Sequence, residues 1–368
     1  MAISMTYVGL DVHQEKTRIV ILPDQGLLPL DAITLPTRAR ELTRYLQRWA
    51  SQYPLQCFYE ASSCGYVPYR WLTAAGVPCT VVAPSKIPRA PGDRVKTDQR
   101  DARALAVQGR TGGLTAVHVP TPEEEAVRSL VRCREARHRD VVAARHRVLK
   151  FLQTRGSVYP GPGKRWTQAH WRWLRARTFA DLDEWTYQEY LTDLDYRVSR
   201  EAESMRRLLL VARSDHYLAA VGALCCFRGI AELTAITLLA ETIDFRRFGT
   251  APGYMCYLGL TCAEDSSGPR RRLGGITKAG NPRCRRVLVE AAWHARHKPV
   301  VSVVLKKRQQ GQPPEIVALA WKAQQRLHAR YWRVEARAGS RRAAVAVARE
   351  LSGFVWAAMT LLAERPAA

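Results

Sequence analysis

Residues 6–22 read TYVGLDVHQEKTRIVIL. Two apolar, β-branched runs, TYVGLDVH and TRIVIL, are joined by the polar turn QEK, which is the pattern of a β-hairpin. One acidic residue, Asp11, interrupts the first strand. A carboxylate in an otherwise apolar strand is costly to bury without a partner, so its position asks for a reason. Outward from the hairpin, PLDAITL offers a third strand, and RARELTRYLQRWASQY places Leu42, Tyr45, Leu46 and Trp49 at helical spacing. LQCFYEA then reads as a strand carrying Glu60 near its end, YVPYRWLTAAG as a helix and VPCTVVA as another strand. After a Pro-rich turn, a further helix begins between Thr97 and Asp101. The alternation predicts an α/β layer architecture over residues 1–115.

In KTDQRDARALA, Asp98 and Asp101 lie three residues apart at that helix start. They read in two ways. An N-terminal Asp followed by a second acid satisfies free backbone N–H groups and the helix dipole, and on this short motif alone capping is the commoner role. A three-strand meander followed by helix, strand, helix and strand is, however, a ribonuclease-H-like order. In such a sheet a two-metal phosphoryl-transfer site draws its carboxylates from the first strand, the strand after the first long helix and a later helix. Asp11, Glu60 and the pair Asp98 and Asp101 stand at those places. Hard cations such as Mg²⁺, or Mn²⁺, take oxygen ligands, and the coincidence favours metal binding over capping.

The 368 residues exceed one ordinary domain and predict two or three. A net charge of +24 and a pI near 10.1 call for a polyanion, nucleic acid before an anionic membrane. The excess is +5 over 1–110, +5 over 111–215 and +14 over 216–368. The sequence is read as having no 18-residue apolar run, and MAISMTYVGLDV enters a strand without a basic leader and cleavage site; a soluble intracellular protein is expected. Nine cysteines, an odd number without a CxxC pair, fit free thiols in a reducing compartment and argue against structural zinc.

From about Pro122 the pattern changes to long charged helices, so 116–215 is expected to be a helical coiled-coil segment. Val127, Val141 and Val148 share one heptad position, interrupted by Arg134. After YPGPGK, Leu191, Leu194, Val198, Met205 and Leu208 follow at three-four spacing with Glu201 in the missing place. This predicts a helical hairpin or coiled coil, with dimerisation or packing on its own domain as its two roles. Residues 216–300 open with CCFRGIAELTAITLLAE, two apolar helical stretches around Gly229, as in helix-hairpin-helix elements whose turn N–H groups approach phosphate. Ala231 stands where a second glycine is usual. The basic stretch CAEDSSGPRRRLGGITKAGNPRCRRVL comes next, and 301–368 reads mainly as two helices with exposed Arg and Lys.

Taken in order, YVGLDVHQEKT, CFYEAS, KTDQRDARALA, RGIAELTAITLLAE, YLGLT…SSG and ITKAGNPRCRRVLVEAAWHAR resemble the DEDD transposases of insertion-sequence family one hundred and ten, which are RNA-guided DNA recombinases. The resemblance runs along most of the chain and is weakest over 155–190 and 310–340. It implies a ribonuclease-H-like N-terminal domain whose tetrad, here Asp11, Glu60, Asp98 and Asp101, binds Mg²⁺ or Mn²⁺. It further implies a coiled-coil connection and a mainly α C-terminal transposase domain with a nucleophilic serine. Aligning LGLT and Gly268 selects Ser267 over Ser266. Arg270, Arg271 and Arg272 would then stabilise charge or hold phosphates beside it, with Lys278, Asn281, Arg283, Arg285 and Arg286 as nucleic-acid contacts or a solvated basic face. The implied partners are donor and target DNA, a structured guide (bridge) RNA and further copies of the chain, as dimer or tetramer. The implied setting is the bacterial cytoplasm, on the nucleoid when bound. The rival readings are a junction-resolving nuclease using water, a non-catalytic nucleic-acid-binding protein, and an actin-like sugar kinase. The kinase ranks last because VHQEK replaces its phosphate-cradling glycine.

Overall fold

The computed structural model describes residues 5–26, 28–88, 97–268 and 270–364. The chain forms two units, Met1–Pro120 and Thr121–Ala368, so the last three of the four segments read from the sequence condense into one.

In the first unit β1 (Thr6–Val12), β2 (Lys16–Pro23) and β3 (Asp31–Pro36) form an antiparallel meander. Helix α1 (Ala39–Ala50) leads to β4 (Leu55–Glu60), α2 (Val67–Ala74) to β5 (Cys79–Val82), and α3 (Asp98–Arg110) follows. The Pro-rich turn expected before α3 falls largely on 89–96, outside the described residues. The sheet order is β3-β2-β1-β4-β5, with β4 and β5 parallel to their neighbours. β1 is therefore central and apolar on both faces. Val8, Leu10, Cys57 and Tyr59 share a core with Leu42 and Leu46 of α1 and Leu72 of α2. The other face carries Val20, Leu22 and Phe58 against Ala102, Leu105 and Ala106 of α3. Gly9 permits this packing: a Cβ there would stand 1.7 Å from the Ala102 carbonyl oxygen, so α3 rests directly on the β1 backbone.

The second unit begins with α4 (Pro122–Thr154) and α6 (Asp181–Ala212), which pack as an antiparallel hairpin around the short α5 (Gln168–Arg175). Val141, Val148 and Phe151 meet Tyr187, Leu191 and Leu194 in its core. The 191–208 seam is thus largely covered within one chain, which is the packing role of the two read from the sequence. The hairpin root, through Val131, Leu208 and Ala212, enters a larger core. That core is built by α7 (Asp215–Cys225), α8 (Glu232–Thr242), α9 (Ala251–Tyr257), α10 (Pro282–Ala292), α12 (Pro314–Ala338) and α13 (Ser340–Ala363). The small hairpin of β6 (Cys262–Glu264) and β7 (Leu273–Ile276) precedes α10, and α11 (Val303–Gln309) precedes α12. One apolar run was missed. Helix α13 has an 18-residue window of mean hydropathy 1.4, the composition of a membrane span, but its Ala344, Val347, Leu351 and Val355 are buried in the fold.

The turn between α7 and α8 also departs from the helix-hairpin-helix expectation. Phe227 and Ile230 are buried, and Gly229, at φ +89°, lies so close to α10 that a Cβ would meet the Ala291 carbonyl oxygen at 2.5 Å. Its glycine is required by packing inside the unit.

Candidate active site

Side chains alternate across a strand, so Asp11 lies on the same face of β1 as Gly9, the face covered by α3. Leu10 pairs in parallel register with Tyr59. The next positions on the two strands, Asp11 and Glu60, therefore stand level at their C-terminal ends, and Glu60 shares its face with Phe58. On α3, Ala102, Leu105 and Gly109 lie on the sheet. Helical periodicity carries Asp98 and Asp101 onto the end of that face.

The geometry then gathers three ligand atoms. Asp11, His13 and Asp98 each offer one atom within 4.8 Å of the others. His13 Nε2 is 3.2 Å from Asp11 Oδ2 and 3.9 Å from Asp98 Oδ1, and Lys16 Nζ is 3.6 Å from Asp98 Oδ2. Asp11 is 8 % exposed, and burial raises its carboxyl above the usual aspartate range; His13 pulls it down, while the Asp98 and Asp101 charges push it up. Asp101 is thus within electrostatic reach of Asp11, but neither it nor Glu60 belongs to the three-atom cluster. His13 was not singled out from the sequence. The signal was its place two residues after Asp11, which in a strand means the same face.

Capping falls to another residue. Thr97 is the N-cap of α3, its Oγ1 accepting the Arg100 N–H at 3.3 Å, which leaves Asp98 as the first helical residue.

In the second unit Ser267 and Arg270 face each other across the tip of the β6–β7 hairpin, joined by backbone bonds in both directions at 3.3 Å. The two adjacent serines differ in their surroundings. The Ser266 hydroxyl donates to Glu264 Oε1 at 2.8 Å and accepts the Arg272 N–H at 3.2 Å. The exposed Ser267 hydroxyl makes no hydrogen bond among the described residues. Arg270 and Arg272 are exposed beside it, and Arg271 Nε lies 3.3 Å from Glu264.

Of the remaining candidates, Lys278 is exposed at φ +55° in the loop before α10. The rest are engaged inside the unit. Asn281 caps α10, accepting the Arg283 and Cys284 N–H groups, and donates through Nδ2 to Glu241 Oε2 at 2.8 Å. Glu241, buried, also takes a bidentate pair from Arg132 at 2.8 and 2.9 Å. Arg283 Nε pairs with Glu135 at 2.6 Å, Arg285 donates to the Leu258 carbonyl at 2.8 Å, and Arg286 pairs with Glu290 at 2.9 Å. These bonds tie the start of α10 to α4, α8 and the Leu258 carbonyl.

Comparison with known proteins places these features in a family. A DEDD transposase model of the IS110 type matches residues 8–155, and the Transposase IS116/IS110/IS902 family matches residues 222–303. The chain is 41% identical over 301 residues to y4qE of Sinorhizobium fredii (strain NBRC 101917 / NGR234), a protein named as a transposase, covering 81% of this chain and 74% of that one. It is 33% identical over 334 residues to the transposase for insertion sequence element IS1533 of Leptospira borgpetersenii, covering 88% of this chain and 95% of that one. With the transposase for IS1111A of Coxiella burnetii it shares 24% identity over 227 residues, 61% of each chain. Carboxylates gathered at a strand end and an exposed serine hairpin therefore belong to a DNA-recombining enzyme, and the chain is a member of the IS110 family of insertion-sequence transposases.

Proposed function

We propose that this transposase cuts and exchanges DNA strands through a covalent phosphoserine on Ser267, assisted by a divalent cation held in the first unit by Asp11, Asp98 and His13, with Glu60 and Asp101 completing the acidic set. The observation that carries the reading is the convergence of Asp11, His13 and Asp98. Their two carboxylates and one imidazole fit a cation that accepts oxygen and nitrogen, so Mn²⁺ should serve at least as well as Mg²⁺. A cation there would neutralise charge developing on the attacked phosphate. The strand order β3-β2-β1-β4-β5 supports a ribonuclease-H-like assignment for this unit.

Ser267 is favoured over Ser266 because the Ser266 hydroxyl is occupied in holding the hairpin. In the attack, Ser267 Oγ bonds to phosphorus, its proton leaves to a base, and the 3′ or 5′ oxygen of the cut strand departs, so the phosphodiester count is conserved for rejoining. Arg270 and Arg272 bind the phosphate. Exchange requires Ser267 and the carboxylates to act on one phosphate, from one chain or from two, in a dimer or tetramer. The charge of +24 supports donor and target DNA together with a structured guide RNA as partners, acting on the bacterial nucleoid.

The test is incubation with Mn²⁺, cognate RNA and a nicked suicide DNA. A denaturant-stable adduct mapped to Ser267, lost in Ser267→Ala and retained in Ser266→Ala, is expected. Cleavage that survives in the double Ala variant would instead establish a water-using nuclease.

A further inference from the structure

Residues 155–180, RGSVYPGPGKRWTQAHWRWLRARTFA, hold six basic residues and no acidic one. They link α4 to α6 at the end of the hairpin remote from its root, and α5 docks Leu174 and His170 into the hairpin. Above this small core Trp166 and Trp171 stand half-buried, 5.7 Å apart and edge to face. The Arg145 guanidinium lies 5.0 Å over Trp166, and that of Arg175 lies 5.3 Å over Trp171. Lys164 and Arg165 are exposed beside them, with no hydrogen bond or ion pair among the described residues. The nearby acids Asp183 and Asp195 are taken by Arg155 and Arg175.

The backbone adds an independent observation. Trp166 has φ +70°, a left-handed conformation that a bulky side chain adopts only under constraint. Its N–H donates to Nδ1 of the buried His170 at 3.1 Å, and His170 Nε2 is itself buried with no hydrogen-bond partner among the described residues. A strained tryptophan locked from below by a histidine is a preorganised ring, as ligand clamps have. Rings with guanidinium groups over them and unpaired cations alongside suit unstacked bases and their phosphates. A duplex hides its base faces, and a second copy would set one net-positive face against another.

We propose that this head binds single-stranded DNA opened during strand exchange, with bases stacking on Trp171 and Trp166 and phosphates meeting Lys164 and Arg165. The family assignment supplies only the choice of DNA, and binding is measured without the cleavage reaction. The test is fluorescence anisotropy of the full chain with labelled oligothymidylate. Lys164→Glu with Arg165→Glu should weaken binding by about tenfold or more, and Trp171→Ala by about 5- to 100-fold, with Trp171→Phe restoring most of it. Duplex affinity should hardly change in Trp171→Ala. Unchanged oligothymidylate binding in either the charge variant or Trp171→Ala overturns the proposal, as does an equal loss on duplex. So does a loss confined to oligouridylate or to phosphatidylserine vesicles. Should Trp171→Ala fail to fold, the charge variant and Trp171→Phe decide.

Discussion

Arg134 Nη2 lies 3.0 Å from Glu201 Oε1, and each of these residues is the one that interrupts the apolar seam of its own helix. The two breaks face each other across the α4–α6 hairpin, with His138 Nδ1 also 2.8 Å from the same carboxylate oxygen. A polar pair at one level of an apolar seam fixes register, because any slip places a charge against a hydrocarbon. Glu201→Ala leaves Arg134, already only 14% exposed, without its partner, and should cost about 2–4 kcal/mol in urea unfolding. Replacing both by leucine should return most of that. A double variant as weak as the single would show that the pair supplies more than register.

Thr97 and Asp98 separate two roles at one helix end. Thr97→Ala should cost about 1 kcal/mol through the lost cap, with the Mn²⁺-induced rise in melting temperature intact. Asp98→Asn should do the reverse, keeping stability and losing the metal-dependent rise and strand exchange. Retained exchange in Asp98→Asn with a lower melting temperature would return Asp98 to a structural part.

Glu241 joins α4, α8 and the cap of α10. Burial alone would raise its carboxyl, but the Arg132 and Asn281 hydrogen bonds, with the Arg132 and Arg128 charges, hold it below the ordinary 4.5. A depressed carboxyl contributes stability that is fully present above its unfolded value and lost as pH falls toward the folded one. The urea midpoint should therefore drop below about pH 4.5, and Glu241→Gln should flatten that acid slope while costing about 2–3 kcal/mol at neutral pH.

At Gly9 the approach of α3 leaves no room for a methyl group. Gly9→Ala should destabilise the first unit by about 3 kcal/mol or more and displace Asp98 and Asp101 from Asp11. Wild-type thermal stability and metal response in this variant would contradict the close contact.

The sheet unit was legible because its signals are local: alternating apolar runs, turns and one misplaced acid in each key strand. The long helices were legible as helices, yet their partner was not, since a seam has the same period whether it meets its own chain or another. Arg134 and Glu201 carried the missing information only as a pair. Asn281 and Arg283 were indistinguishable from exposed polar and basic residues because Glu241 and Glu135, which hold them, are 40 and 148 residues away. Ser267 was chosen by alignment, and only the bonds of Ser266 give that choice a physical reason.

The β6–β7 hairpin has a further consequence. Every described residue from 262 to 275 is exposed, so the ribbon that carries Ser267 is tethered by its ends and has no core of its own. Two strands without a hydrophobic face are marginal in water. Amide protons there should exchange rapidly in the free enzyme and become protected when DNA is bound, so that Ser267, the nucleophile proposed above, takes a single conformation only on its substrate. Ordering the ribbon would then act as a timing step: stray phosphates, unable to supply that ordering free energy, would meet a serine that is seldom aligned to attack them.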